Sequence, residues 1–277
     1  MLAPQFDAVD ATDPAAAAAF LDLALSLPSV DRWKRFSHDL LGVAAGDRVL
    51  DIGCGTGSDA MALAHRVGAG GQVIGVDLSQ ALVAIARARA APLGLPITFR
   101  QADIHDLPFA DGSFDGTRID RVLHFLPDPG RALREAARVT APGGRMVVTE
   151  PDWGSLAVAG GDPELTDAIL AAGAEQAMPN ARIGPELPRL LAEAGLQPDG
   201  HHESMLDLRD YATAATLFGL EALASRAVST GRVEAKAAVR WLRSLQQSSN
   251  DATFHCTLAG VIAAGTKALG HVLSGMQ

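Results

Sequence analysis

Residues 49–57 read Val-Leu-Asp-Ile-Gly-Cys-Gly-Thr-Gly, and this stretch decides the fold. Its first two residues are typical of the end of a buried strand, and Asp51 places a carboxylate at the strand tip. Three glycines follow at every second position, before an alanine-rich helical run: Gly53, Gly55 and Gly57. Glycine lets the backbone turn sharply and bring its N–H groups against a ligand, with the helix N-terminus behind them. The stretch therefore predicts a strand, a ligand-binding turn and a helix.

The spacing of the glycines distinguishes between two classes of ligand. The dinucleotide fingerprint requires a glycine three residues after its second one, but that position is Ser58 here. Asp51 would also repel a pyrophosphate, whereas it suits a cationic ligand. The pattern Asp-x-Gly-x-Gly-x-Gly resembles the first motif of class I S-adenosylmethionine-dependent methyltransferases, whose cofactor carries an ammonium and a sulfonium. The competing interpretation is a purely structural turn.

The resemblance implies that the first motif binds the cofactor through Asp51, Gly53, Cys54, Gly55 and Gly57. Further along, an apolar strand at 72–76 ends at Asp77, with Leu78 beside it in the predicted cofactor site. The carboxylate of Asp77 can accept both hydroxyls of a ribose, as in many nucleotide sites. Alternatively, Asp77 caps the helix that begins near Ser79.

A third strand at 97–100 leads into another segment that resembles the family. By that resemblance Asp103 accepts from the adenine amino group of the cofactor, and Ile104 packs on the ring. Arg118, just before the expected methyl-donor site, completes the predicted set of cofactor-binding residues. The match continues to about residue 150, through an Ala-Pro-Gly-Gly segment that ends at Gly144.

The chain has 277 residues, 48% of them hydrophobic, which is enough for one sizeable core with additions. The formal net charge of −9 argues against DNA or RNA as acceptor, because a phosphate-tracking surface needs clustered Lys and Arg. Two cysteines, Cys54 and Cys256, provide neither a disulfide framework nor a Cys-rich zinc site. Asp10 and Asp13 stand where a signal peptide would be basic, and Asp22 interrupts the apolar run that follows. We expect a cytoplasmic protein that does not enter the membrane, with its oligomeric state left open.

Strands and helices alternate from residue 48 to 150, which predicts an α/β, Rossmann-like fold. Its seven-stranded sheet should be mostly parallel with helices on both faces. The strands near 201–208 and 253–263 should pair antiparallel, as the last two strands of the family do. The expected parts of a single domain, 1–277, are N-terminal helices (1–45), a cofactor-binding core (46–150) and helical additions (151–195 and 208–250) that form a lid over the acceptor.

Methyl transfer is an in-line displacement at an already activated carbon, so positioning is expected to supply most of the rate enhancement. A base is needed only for an acceptor that is protonated at neutral pH, such as an alcohol or a phenol. His124 follows the fourth strand and lies beside the expected methyl donor, so it is the predicted catalytic base. The alternative is a residue that only packs or forms hydrogen bonds.

Acceptor-binding residues are predicted where the family places its additions. Asp152 and Trp153 follow the fifth strand and could orient a polar acceptor and form a wall beside its ring, while Phe218 lies in the late helical insertion. A loop cap, a buried anchor and ordinary helix packing are the respective alternatives. Lys34 or Arg35 is a candidate for binding the cofactor carboxylate, unless both lie on a solvated helix face.

No metal is predicted, because the sequence offers no Asp-Asp-Asn set of the catecholate-type magnesium site. The only asparagines, Asn180 and Asn250, fall in the peripheral additions. The predicted function is S-adenosylmethionine-dependent methylation of a small organic molecule, at oxygen, in secondary metabolism or quinone-type ring methylation. Two alternatives remain: a protein of this fold that retains the cofactor and catalyses a cyclisation or rearrangement, and a non-catalytic binding protein.

Overall fold

The structure is a computed structural model that describes Phe6 and residues 8–269, without the side chains of residues 173–177. Its strands are β1 (Arg48–Ile52), β2 (Gln72–Asp77), β3 (Ile97–Gln101), β4 (Phe114–Asp120), β5 (Thr140–Ala159), β6 (Leu196–Leu208) and β7 (His255–Lys267). Its α-helices are α1 (Pro14–Ser26), α2 (Pro28–Leu41), α3 (Ser58–Val67), α4 (Gln80–Ala90), α5 (Pro129–Val139), α6 (Pro163–Ala177), α7 (Leu187–Glu193), α8 (Tyr211–Phe218), α9 (Leu220–Ser229) and α10 (Ala235–Asn250). The two ends of the predicted domain 1–277 lie outside the described residues.

The described strands form one sheet in the order β3-β2-β1-β4-β5-β7-β6. The pairs from β3 to β5 are parallel, and β7 runs antiparallel to both β5 and β6. The predicted fold class is confirmed, including the antiparallel pairing of the last two strands. Because crossover helices return the chain to the same edge, the carboxyl ends of β1, β2 and β4 open together.

Local sequence explains where many of the helices begin. An aspartate side chain accepts a backbone N–H at the start of α1, α5, α6 and α8: Asp13, Asp128, Asp162 and Asp210. Proline follows the first three of these aspartates. Proline suits the first helical position because its fixed φ is helical and its missing N–H would have no partner there.

Side chains along β1 alternate between the two faces of the sheet. Leu50 and Ile52 pack with residues of α5 and α7, whereas Val49 packs with residues of α2, α3 and α4 on the opposite side. We name these sides the α5 face and the α2 face. By the same alternation Asp51 points into the α2 face, although its side chain is charged and only 1% exposed.

Strand β5 is longer than the sequence indicates. It runs to Ala159, so residues 151–159 are strand where a helical addition was predicted. Asp152 and Trp153 consequently lie within the strand and not after it. Pairing with β7 shifts register between Asp152 and Ala157. Such a bulge bends a strand and redirects its side chains, and Gly154 lies within it.

The helices predicted to form a lid, α6, α8, α9 and α10, pack as a separate hydrophobic cluster around the outer ends of β5, β6 and β7. Trp241 of α10 is its largest fully buried side chain, and its Nε1 donates to Thr166 Oγ1 of α6 at 2.8 Å. Residues from the end of α1 also pack against this cluster. Among the described helices, none is long and apolar enough to cross a membrane.

Candidate active site

The three glycines after β1 form a left-handed turn, with φ of 71° at Gly53, 53° at Gly55 and 84° at Gly57. A side chain on Gly53 would place its Cβ 2.2 Å from Cγ2 of Val122, just after β4. On Gly55 a Cβ would lie 2.9 Å from Leu21 of α1. The turn therefore requires glycine both for its backbone conformation and for the close approach of its neighbours. It lies between the end of β4 and the first N-terminal helix.

Cys54 contributes its backbone to this turn. Its N–H donates to the carbonyl of Val76 in β2 at 2.9 Å. The side chain is 8% exposed, and burial raises the pKa of its thiol well above the usual value. The thiol is a small buried group.

Asp77 ties the glycine turn to the end of β2. Its Oδ2 accepts the N–H of Gly55 at 2.8 Å and its Oδ1 accepts the N–H of Ser79 at 2.9 Å. Burial raises the pKa of Asp77. The cap of α4 is Ser79, whose Oγ accepts the N–H of Leu82, so the alternative role of Asp77 as the helix cap does not hold. Each carboxylate oxygen of Asp77 keeps a lone pair for a further donor.

Three further predicted cofactor residues differ in exposure and in the contacts they already make: Leu78, Asp103 and Ile104. The side chain of Leu78 is 56% exposed beside Asp77. Asp103 accepts the backbone N–H and approaches the ring Nδ1 of His105 at 2.8 and 2.9 Å. Burial acts to raise the pKa of Asp103, but these two contacts outweigh it and lower the pKa. Ile104 is 7% exposed and packs in the core of the α5 face, so little of its surface remains for an adenine ring.

A buried ion cluster lies beneath α2, formed by Lys34, Asp51, Asp59, Arg118 and Asp120. Arg118 lies 3.2 Å from Asp51, 3.3 Å from Asp59 and 3.0 Å from Asp120. Lys34 pairs with Asp59 and, at 2.8 Å, with Asp120. Two cations thus face three carboxylates, and the cluster joins the N-terminal helix to β1, α3 and β4.

Arg118, Lys34 and Arg35 were predicted to contact the cofactor, and their ion pairs show how far each is available for it. Because Arg118 is 1% exposed and surrounded by carboxylates, any influence on the cofactor would act through Asp51. Lys34 lies in the cluster and not on a solvated face. Arg35, by contrast, is exposed and pairs with Asp31 one turn away on the same helix.

The carboxylates of the cluster differ in their protonation. Burial raises the pKa of Asp51 to about 7, against the opposing charge of Arg118. For Asp59 burial also acts to raise the pKa, but Arg118 and Lys34 hold it well below its usual range. Asp51 Oδ2 is buried without a hydrogen-bond partner. A buried carboxylate oxygen left unpaired is costly, so this atom is poised to accept from a cationic donor.

His124 lies in a short 3-10 turn directly after β4, as predicted. Its side chain is 3% exposed, and Nδ1 lies 2.5 Å from Oε2 of Glu150 at the inner part of β5. Asn180 supports the same turn from the other side, because its Nδ2 donates to the carbonyl of Leu126 at 2.6 Å. The description of Asn180 as peripheral is therefore wrong: the segment after α6 folds back against the turn that follows β4.

Glu150 is absent from the predicted site residues, although the sequence carries a signal for it. An acid follows the strand residues at 146–149, as Asp51 follows the apolar residues of β1 and Asp77 follows those of β2. Strand β5 continues beyond this acid to Ala159. The position of Glu150 is therefore harder to recognise as equivalent to those of Asp51 and Asp77.

Trp153 and Phe218 come together in the lid, with ring centroids 6.2 Å apart in an edge-to-face arrangement. Phe218 is 4% exposed. Trp153 Nε1 is buried with no hydrogen-bond partner, so the indole offers a donor beside an apolar ring. Asp152 instead accepts the N–H of Gly154 within the β5 bulge at 3.0 Å. The part of the chain that the structure describes contains no group of three or more His, Cys, Asp or Glu arranged to hold a metal ion.

A family model described as a methyltransferase domain matches residues 44–195, more than half of the chain. The chain belongs to this methyltransferase family. The match covers the glycine turn, the ion cluster except for its α2 residue, and the turn that carries His124. For this domain it confirms the predicted resemblance to class I methyltransferases, together with the predicted enzyme class and S-adenosylmethionine as cofactor.

Individual relatives match different shares of the chain. A 37.1 kDa protein in transposon TN4556 of Streptomyces fradiae is 39% identical over 227 residues, 82% of this chain and 66% of that protein. The demethylmenaquinone methyltransferase of Thermus thermophilus is 42% identical over 130 residues, 47% of this chain and 59% of that enzyme. The methyltransferase thus spans less than two thirds of the length of either relative. Among solved structures, the 4+2 cyclase SpnF shares the fold, with a TM-score of 0.62 at 21% identity over 98% of both chains.

The site of the methyltransferase fits S-adenosylmethionine on features of its own. The glycine turn has the left-handed backbone that only glycine adopts readily, and the unpaired Oδ2 of Asp51 beside it suits an ammonium group. The free lone pairs of Asp77 suit ribose hydroxyls, and the exposed Leu78 next to it offers an apolar surface. These residues would hold the cofactor at the carboxyl ends of β1 and β2.

Proposed function

We propose that this protein transfers the methyl group of S-adenosylmethionine to a small organic molecule that loses a proton in the reaction, such as a hydroquinone, a phenol or an alcohol. The observation that carries the proposal is the position of His124. His124 lies in the same turn as Val122, which packs against Gly53 of the glycine turn. Its ring pairs with Glu150. A proton acceptor therefore lies beside the predicted methyl donor.

His124 would act as the base through Nε2, because Nδ1 faces Glu150. When bound, S-adenosylmethionine supplies a methyl group that its sulfonium has already made electrophilic. Alignment of the acceptor with that methyl can contribute about 7–11 kcal/mol, whereas a general base contributes about 10²- to 10⁴-fold in rate. The main task of the lid is thus to exclude water and orient the acceptor. The proposed contacts are Trp153, Phe218 and Asp152, whose carboxylate also accepts the N–H of Gly154.

The atom that receives the methyl group follows from the acceptor. Loss of a proton from a hydroquinone makes both its oxygen and the neighbouring ring carbons nucleophilic, so one base serves either outcome. The name of the Thermus thermophilus relative, a demethylmenaquinone methyltransferase, favours a quinone-like ring. Oxygen remains the prediction from the sequence, and ring carbon is the second candidate.

The test uses methyl-labelled S-adenosylmethionine and a panel of naphthohydroquinones, phenols and alcohols. We expect labelled product and S-adenosylhomocysteine in equal amounts. Asp77→Ala should weaken binding of S-adenosylmethionine by about 1.5–3 kcal/mol in calorimetry, the usual loss for hydrogen bonds to a charged group. Conversion of a compound without release of S-adenosylhomocysteine would favour the cyclisation alternative, for which the SpnF fold is a precedent. Binding of cofactor without any conversion would favour a binding protein.

The affinity for S-adenosylmethionine should depend on pH through Asp51. The charged groups that face Asp51 are Arg118, Asp59, Lys34 and Asp120. Burial raises the pKa of Asp51 to about 7, and an ammonium group favours the ionised carboxylate. Binding should therefore release a proton, and affinity should rise as the pH increases through about 7. Below that value we expect a loss of up to about tenfold per pH unit.

Calorimetry in buffers of different ionisation enthalpy measures both the affinity and the released proton. The ammonium group of S-adenosylmethionine itself has a pKa of about 7.7–8.0, so the affinity should decline again at higher pH. Asp51→Asn should remove the part of the loss of affinity at low pH that comes from Asp51, while keeping the decline at high pH. Asp77, whose pKa is also raised by burial, is present in both proteins and so cannot account for a difference. An identical loss of affinity at low pH in the variant would show that Asp51 does not titrate on binding.

A further inference from the structure

Glu150 holds the turn that carries His124 with both of its carboxylate oxygens. Oε1 accepts the backbone N–H groups of Val122 and Leu123 at 2.9 and 2.6 Å, and Oε2 lies 2.5 Å from Nδ1 of His124. The Glu150 side chain is fully buried, at 0% exposure. One buried carboxylate thus fixes the backbone of the turn and the ring of the histidine together.

We infer that Glu150 is a positioning residue that selects the Nδ1–H tautomer of His124 and so leaves the lone pair on Nε2 for the proton of the acceptor. The bond made by one ring nitrogen of a histidine determines which nitrogen carries the proton. Among the described residues, no hydrogen bond reaches Nε2 of His124. The catalytic consequence rests on the proposed function, whereas the tautomer is a property of the protein alone.

The chemistry requires this orientation. During transfer the hydroxyl of the acceptor would give its proton to Nε2 as the new bond to the methyl carbon forms and the bond from that carbon to the sulfonium sulfur breaks. The products would be the methylated acceptor, S-adenosylhomocysteine and an imidazolium at His124. The carboxylate of Glu150 then stabilises that cation through the Nδ1–H bond. The same division of roles, with a buried carboxylate that orients a histidine and stays deprotonated, operates in serine hydrolases.

Asn180 separates the two functions of Glu150. Its side chain donates to the carbonyls of Leu123 and Leu126, and its backbone N–H donates to the carbonyl of His124. Among the described contacts it makes none with the His124 ring, so it supports only the backbone of the turn. Asn180→Ala should therefore loosen the turn without changing the tautomer. Glu150→Gln keeps the size and one acceptor oxygen but presents an amide donor to Nδ1, which forces the proton to Nε2.

The experiment is ¹⁵N nuclear magnetic resonance of the histidine side chains, with His124 assigned as the signal missing from His124→Gln. We expect a pyrrole-type Nδ1 and a pyridine-type Nε2 in the wild type and in Asn180→Ala, and the reverse in Glu150→Gln. Glu135→Gln is the matched control, because Glu135 also accepts a backbone N–H but lies on α5, away from His124. A wild-type ring protonated at Nε2, alone or with Nδ1, would overturn the inference even if Glu150→Gln fails to fold.

Turnover with a hydroquinone acceptor gives the second readout. Glu150→Gln should reduce turnover at least about 10²-fold, as for loss of a general base, while the affinity for S-adenosylmethionine stays within about twofold. Full turnover in a variant with the reversed tautomer would overturn the role of Glu150. If no acceptor is methylated, the proposed function fails, but the tautomers in the wild type and the variants still decide the inference.

Discussion

Arg118→Met should lower the free energy of unfolding by about 3–5 kcal/mol at neutral pH, the usual result of removing one partner from a buried ion pair. Arg118 is 1% exposed and lies within 3.3 Å of Asp51, Asp59 and Asp120. Without it, the cations left beside the three buried carboxylates would be Lys34 and, at the rim, Arg121. His38 would remain as a hydrogen-bond partner of Asp59. Urea denaturation at pH 8 and pH 5 measures the loss. It should shrink at the lower pH, because the carboxylates can then take up protons.

Arg121→Met is the matched control for this effect. Arg121 contacts Asp120 at 3.3 Å from the rim of the cluster, and its side chain is 30% exposed. An ion pair in such a position contributes only about 0–1 kcal/mol. Equal losses in the two variants would show that the buried cluster contributes no more than a surface pair.

His124→Gln should reduce turnover by about 10²-fold or more, because glutamine keeps the size and hydrogen bonding of the side chain but removes its basicity. The affinity for S-adenosylmethionine should be unchanged, since the cofactor contacts proposed for Asp77 and the glycine turn do not involve His124. Steady-state assays with a hydroquinone acceptor measure the turnover, and calorimetry measures the affinity for S-adenosylmethionine.

His201→Gln provides the control for this substitution. His201 lies on β6 with its side chain 43% exposed, and its described ion pair is with Glu203 at 3.9 Å. It should retain full turnover. Full turnover in His124→Gln as well would reduce His124 to an orienting residue and would restrict the acceptor to molecules that need no base.

The glycine turn and the strand ends beside it were largely predictable because their signals are local. A glycine turn, a strand of apolar residues and a terminal acid each occupy fewer than ten consecutive residues, and backbone sterics alone give them meaning. Asp51, Gly53 and Asp77 therefore lie where the sequence indicates. The boundaries of β5 were less predictable, because Pro151 and Gly154 suggest a loop and only pairing with β7 keeps the segment extended.

The sequence by itself determined the α/β class, the parallel core and the glycine turn, since periodicity and glycine placement are signals within short stretches of the chain. Only the tertiary structure decided the partners of the buried charges. Lys34 meets Asp120 and His124 meets Glu150 because helix docking and the register of β4 on β5 bring together groups 86 and 26 residues apart. Burial makes each partner of these pairs necessary, because a charge left unpaired away from water is costly.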